Sequence, residues 1–181
     1  MTPDEEFAEF AETASPQLRR TAFLLCGNWH TAEDLVQTTL AKVFVSWRKI
    51  QRRDAARSYA ARTLVNTYLA DKRSKRNSEL ITDRIPERPV QPHAPETRMV
   101  VLSVLATLPP RARAVVVLRY WEDLSVDQVA AALGCSPGNV KSLGAAALGK
   151  LRAVIDEALT GDELPERHPD QRRDARDIRH G

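Results

Sequence analysis

Apolar residues recur at helical spacing along most of the chain. Phe7, Phe10, Ala11 and Ala14 share one such face, and a second apolar stretch from Leu18 to Leu25 ends at Gly27. Thr31 can cap the next helix, in which Ala32, Leu35, Val36, Leu40, Val43, Phe44 and Trp47 hold one face while Glu33, Asp34, Gln37, Thr38 and Lys42 lie opposite. A basic loop, Lys49–Asp54, leads to a helix over about 55–73. Tyr59, Ala60, Leu64, Tyr68 and Leu69 form its core side, and Arg62, Asn66 and Ala70, spaced by four, its outer side. These helices make one compact unit.

The pattern then breaks. Residues 77–98 carry Pro86, Pro89, Pro92 and Pro95, mixed charge and little hydrophobicity, which reads as a partly extended linker without a core. About twenty residues of this kind can reach on the order of 65 Å. A second unit starts near Met99: Val101, Leu102, Val104, Leu105 and Leu108 make a helix that Pro109-Pro110 must end. Residues 111–122 are helical again, with Ala114, Val115, Val117 and Leu118 inside. The tail, 161–181, is charged and nearly free of large apolar residues, and is expected to be disordered. The predicted fold is all-α: two independently folded helical domains, 1–76 and 99–160, joined by the Pro-rich linker 77–98.

The sharpest local signal lies between Leu124 and Arg152. Ser125 and Gln128 form a capping box that opens a helix at Val126. Val129, Ala130 and Leu133 point inward, and Gly134 supplies the left-handed residue that closes it. Ser136-Pro137 is a second start signal, hydroxyl cap then proline at the first helical position, and Val140, Leu143 and Ala147 face inward from the helix that follows. Two short helices around a glycine turn are the helix-turn-helix plan; an αα-hairpin in a bundle core has the same outline. In the DNA-binding version the start of the second helix meets base edges, which here means Ser136, Asn139, Lys141 and Ser142.

Charge and composition narrow the partners. Residues 48–76 hold ten Lys/Arg against Asp54 and Asp71, a local +8 that suits a polyanion, although a solvated basic face would look the same. Residues 1–16 hold five acids and no base, the opposite of a signal peptide's start. The longest aliphatic run, Ala114–Leu118, is too short to span a bilayer, so a cytoplasmic protein without membrane insertion is expected. Cys26 and Cys135 belong to no metal-type cluster and are expected to be packed thiols. The four histidines are scattered, and nothing resembles a nucleophile elbow, a phosphate loop or metal-ligand spacing. No catalytic residue, metal site or cofactor is expected, and the chain does not read as an enzyme.

Three stretches together resemble the extracytoplasmic-function, sigma-E-like group of sigma-70 RNA polymerase sigma factors. They are Ala32-Glu33-Asp34-Leu35-Val36-Gln37 followed by Trp47; Tyr59 through Arg73, with Leu64-Val65-Asn66 and Asp71-Lys72-Arg73; and Leu108-Pro109, Val117-Leu118-Arg119-Tyr120, Leu124-Ser125 and Val140-Lys141-Ser142. The resemblance implies region 2 in the first unit and region 4 in the second. It implies that Asp34, Gln37 and Thr38 grip core RNA polymerase. It implies that Lys49, Arg52, Arg53, Arg62, Asn66, Lys72 and Arg73 serve −10 recognition and melting, and that the second helix of the helix-turn-helix reads −35. Core polymerase and promoter DNA are the implied partners, and an anti-sigma factor is typical of the class. Relatives usually have basic or polar residues where this chain has Ala145-Ala146, and often an amide where it has Ala70, so direct readout should be thin. The rival reading is a helix-turn-helix transcriptional regulator that acts without core polymerase.

Overall fold

The computed structural model describes residues 1–50, 55–79 and 96–160. The expected linker falls mostly, and the expected disordered tail wholly, outside those residues. The described residues form helices and no strand: α1 (Pro3–Cys26), α2 (Trp29–Ser46) with a 3₁₀ turn Trp47–Lys49, α3 (Ala56–Glu79), α4 (Glu96–Thr107), α5 (Pro110–Val116) running into a π turn Val117–Trp121, α6 (Val126–Leu133) and α7 (Pro137–Thr160).

The two apolar stretches before Gly27 are one helix. Thr2 and Glu5 close a capping box at its start, and the bonds from the Thr2 backbone and hydroxyl hold the Glu5 carboxyl below its ordinary pKa. Pro16 sits inside α1 yet is exposed. The carbonyl it leaves without an intrahelical donor is that of Glu12, also exposed, so water can serve it. Gly27, at φ 73, ends the helix by donating its N–H to the Phe23 carbonyl. The expected cap at Thr31 is displaced: Asn28 caps α2 through Oδ1, which accepts from the Thr31 backbone N–H at 3.0 Å. Thr31 is therefore the third residue of the helix.

α1, α2 and α3 pack on one another around Leu18, Ala22, Leu35, Val43 and Leu64. Trp47 is 2% exposed, with Phe7 edge-on at 5.3 Å and Phe10 at 4.9 Å. Phe44, read from the sequence as core, is 47% exposed and touches only the rim of this group, 5.0 Å from the Phe7 ring. One residue past Val43, it is turned about 100° around the helix. In the second unit α7 packs against α4, α5 and α6. Its inner stripe is Val140, Gly144 and Ala147, with Leu143 half-buried.

The two units are not separate in space. One apolar cluster runs from Leu18, Ala22 and Leu25 of α1 through Leu64 and Tyr68 of α3 to Val115, Leu118 and Val129 of the second unit. Leu24 packs against a smaller cluster of Leu105, Leu108, Ala112 and Ala147. Polar bonds cross the same seam. Trp121 Nε1 donates to the buried Thr21 hydroxyl at 3.0 Å, and that hydroxyl is bonded to the Glu122 carboxylate. Arg113 of α5 donates from Nη1 to the Leu25 carbonyl at 2.6 Å and from Nη2 to the Ala106 carbonyl at 2.8 Å. Nearby, Cys26 is a free, half-buried thiol whose pKa is pushed up by burial; Cys135 is likewise free and half-buried.

Two glycines of α7 allow a direct check of its packing. An added Cβ at Gly149 meets nothing within 4 Å, and one at Gly144 meets Val115 Cγ1 at an ordinary 3.8 Å. Gly149→Ala is expected to stabilise the chain by about 0.5–1 kcal/mol, since alanine leaves less backbone freedom in the unfolded state. Gly144→Ala should do no worse than neutral. Both are read from denaturant midpoints at constant slope.

Candidate nucleic-acid interface

The turn between α6 and α7 is built as the sequence indicates. The Ser125 hydroxyl accepts from the Gln128 N–H at 3.1 Å, and the Gln128 side chain accepts from the Ser125 N–H at 2.8 Å. Gly134 takes φ 59, and the N–H groups of Gly134 and Cys135 both end on the Ala130 carbonyl. The Ser136 hydroxyl then accepts from the Asn139 N–H at 3.2 Å, with Pro137 as the first residue of α7. These local bonds fix the angle at which α7 leaves the turn. Ser136, Asn139, Lys141 and Ser142 are all exposed at its start. Ser136 holds the helix end by accepting this one bond, which leaves its O–H as a donor.

Beyond those residues the outward face of α7 is nearly bare. Gly138, Ser142, Ala145 and Gly149 follow one another at helical spacing and are all exposed. A backbone can come close to a duplex along such a stripe, but only Asn139, Lys141 and Ser142 offer side-chain bonds near its start.

On α3, Asn66, Ala70 and Arg73 are exposed and lie on one face with the half-buried Arg62. An amide flanked by two guanidinium groups suits a nucleic-acid strand: the cations meet phosphate, and the amide has both donor and acceptor for a base edge. Lys72 is not on this face. It is half-buried, with Nζ 5.8 Å from the Tyr68 ring centroid, on the side turned toward the seam. Lys49 is exposed on a different element, the turn after α2. Arg52 and Arg53 lie outside the described residues.

A third exposed face belongs to α2. Asp34, Gln37 and Thr38 are open to solvent, and the same stripe continues through Ala41 to Val45, which is 81% exposed. Val45 was missed in the sequence reading. Its signal is phase: an aliphatic residue seven positions past Thr38 stands on the polar side of the helix. Lys42, expected on that polar side, is exposed, and its Nζ reaches α3 to donate to the Thr67 hydroxyl at 3.0 Å. Among the described residues no group of three or more His, Cys, Asp or Glu could hold a metal ion. No described helix is long and apolar enough to cross a membrane.

Comparison with known proteins agrees with this geometry. Residues 10–78 match the family model for sigma-70 region 2, and residues 98–151 match that for sigma-70, region 4. The RNA polymerase sigma-E factor of Streptomyces coelicolor is 38% identical over 154 residues, 83% of this chain and 86% of that protein. The sigma-E factor of Streptomyces avermitilis is 36% identical with the same coverage of both chains. The ECF RNA polymerase sigma factor SigE of Mycolicibacterium smegmatis is 32% identical over 74% of this chain and 55% of its own length. Among solved structures, the sigma factor RpoE of Bartonella quintana, crystallised with the anti-sigma factor NepR, shares the fold. Its TM-score is 0.67 at 22% identity, over 84% of this chain and 98% of that one.

Proposed function

Since the chain belongs to the extracytoplasmic-function group of the sigma-70 family and is an RNA polymerase sigma factor directing transcription, we propose that its three exposed faces divide that work. The α2 stripe of Asp34, Gln37 and Thr38, extended by Val45, grips core polymerase. The α3 face of Arg62, Asn66 and Arg73 engages the −10 element, with Lys49, Arg52 and Arg53 as phosphate contacts during melting. Lys72, turned toward Tyr68, serves that site at most through its charge. The start of α7 engages the −35 element through Asn139, Lys141 and Ser142, with Ser136 holding the helix end. The carrying observation is that the described residues of all three faces lie at the surface of a chain matching sigma-70 regions 2 and 4, the family of initiation factors and not of enzymes. The same relatives set aside the rival reading of a regulator that works without polymerase.

The working domain boundaries are 1–76 and 99–160, with 77–98 as tether and 161–181 as a tail. A factor that acts on core polymerase works in the cytoplasm on this reading, and the complexes of similar proteins with anti-sigma factors support such an antagonist as a partner. Run-off transcription with core polymerase on genomic fragments tests the whole assignment.

The polymerase face has its own test. Asp34→Ala, Gln37→Ala and Val45→Asp are each expected to weaken binding to core polymerase by roughly fivefold or more, the effect of losing an interface contact worth over 1 kcal/mol. Stability should stay within about 0.5 kcal/mol, because these positions are exposed. Normal binding by all three variants would place the interface on another face.

A further inference from the structure

In the major groove each base suits a different side chain. Guanine takes a bidentate Arg or Lys, cytosine a carboxylate, adenine an amide, and the thymine C5-methyl an apolar group such as alanine. Residues 137–149 of α7 hold no Arg, Asp or Glu and a single Lys, against Asn139 and the consecutive alanines Ala145, Ala146 and Ala147. Both halves of an A·T pair find a partner in that set. For a G·C pair the one candidate is Lys141.

Helix geometry sorts these residues. Val140, Gly144 and Ala147 are buried, so the third alanine belongs to the core. At about 100° per residue, Ser142 faces almost directly away from that buried line. Ala145 and Ala146, both exposed, stand about 60° to one side of Ser142 and about 40° to the other. Asn139 is exposed about 60° round on the Ala146 side, and its cap bond to Ser136 uses only the backbone N–H. The cations lie further out. Lys141 and Arg152 stand about 80–100° from Ser142 on one flank and Lys150 about 80° on the other, all three exposed. A helix seated with Ser142 toward the base edges presents those cations to the phosphates along the groove walls. Lys141 is thus placed for phosphate, and the centre of the face holds no cation to take guanine. From Asn139 to Ala146 the helix rises about 10 Å, the length of about three base pairs.

We propose that this chain selects A·T-rich −35 elements, with the Asn139 amide on an adenine edge and the Ala145 and Ala146 methyls against thymine C5-methyl groups. The proposal rests on the sigma-factor reading and names the class of sequence that its −35 face takes. A methyl group shielded from water is worth about fourfold in affinity, and an amide paired with adenine roughly fivefold or more. The Ser142 hydroxyl bonds to bases of either kind, so it adds contact without choice. Its small size lets both alanines approach the bases.

The test uses the full chain bound to core polymerase and a promoter library with a randomised −35 element. The selected elements should be A·T-rich over a run of about three to four pairs. On the preferred promoter each −35 thymine is then replaced by uracil, which removes only the C5-methyl, and each adenine by 7-deazaadenine, which removes the N7 acceptor. Uracil at the positions facing the alanines should weaken wild-type binding about three- to fivefold. In the Ala145→Gly, Ala146→Gly double variant the same replacements should have almost no effect. A single 7-deazaadenine should cost roughly fivefold or more with the wild type and almost nothing with Asn139→Ala. Each ratio is taken within one variant, so any general weakening of α7 by the glycines cancels. Three results would overturn the proposal: selected elements with G·C pairs in this run, no uracil position that weakens wild-type binding, or a uracil effect that survives both glycines. Each is read on a chain that binds core polymerase and transcribes, so each faults the base preference alone. A chain that never binds core polymerase faults the sigma-factor reading, and this proposal with it.

Discussion

Asn66→Ala is expected to lower run-off transcription from a preferred promoter by roughly 5- to 100-fold, and by more than Asn139→Ala does. A good bidentate base contact is worth about 1–3 kcal/mol, and the two asparagines have unequal support. Asn66 stands between Arg62 and Arg73 on one face of α3, so a base contact there would be held by flanking phosphate contacts. Asn139 has Lys141 and Ser142 beside it, and the exposed positions that follow are mostly alanine and glycine. Lys141→Ala should weaken affinity uniformly across sequences and make the salt dependence shallower, as loss of a phosphate contact does. Promoters with a scrambled −10 or a scrambled −35 element, compared in the same assay, provide the check. If scrambling −35 is the more damaging change, α7 reads DNA through its backbone and through groove shape, and the division of labour drawn from side chains is wrong.

Trp47→Ala should cost about 3–5 kcal/mol, the range for emptying a buried tryptophan site, and this is the largest stability change expected of a single residue in the first unit. A tryptophan at the end of α2, next to Arg48 and Lys49, could by sequence alone stack on an unpaired base. The structure places it 2% exposed with Phe7 and Phe10 against its ring, which assigns it to the core. Trp47→Phe separates the two roles. It keeps an aromatic ring in the core, so it should lose far less stability than alanine and leave −10 melting close to normal. A fully stable Trp47→Ala protein that fails only in melting would return the residue to the DNA.

The caps of the second unit were legible because each is a short-range statement. Ser125 with Gln128, Gly134, and Ser136 with Pro137 all act within three residues, and each forms the bond its residue type suggests. The start of α2 was misread because Asn28 and Thr31 are both capping residues three apart, and the apolar Trp29 gave no reason to prefer the earlier. Phe44 and Val45 were obscured by an apolar run, Val43-Phe44-Val45, in which only one residue can point inward.

The seam was least legible, since Thr21 and Glu122 are 101 positions apart. One trace of it was present. Phe23, Leu24 and Leu25 are consecutive, each turned about 100° from the last, and a helix that is apolar all round must be covered all round. The covering surface is the second unit, which no local pattern could identify. On α3 the spacing of Arg62, Asn66 and Ala70 marks one face, whereas the charge of Lys72 carries no azimuth, and that residue lies toward Tyr68.

The π turn at Val117–Trp121 carries a consequence for how such a protein changes over time. Its closing bond, from the Glu122 N–H to the Val117 carbonyl at 3.0 Å, spans five residues where an α-helix spans four. One residue more or less rotates whatever follows by about 100°. Trp121 and Glu122, the side chains that meet Thr21, stand at the downstream end of that turn. Loss of a single codon there, at the exposed Tyr120 for example, would swing both away from α1 while leaving every buried residue of α5 in place. A chain whose Trp121 and Glu122 meet Thr21 and one in which they do not are thus one deletion apart in sequence, and the length of this turn is the character by which to sort them.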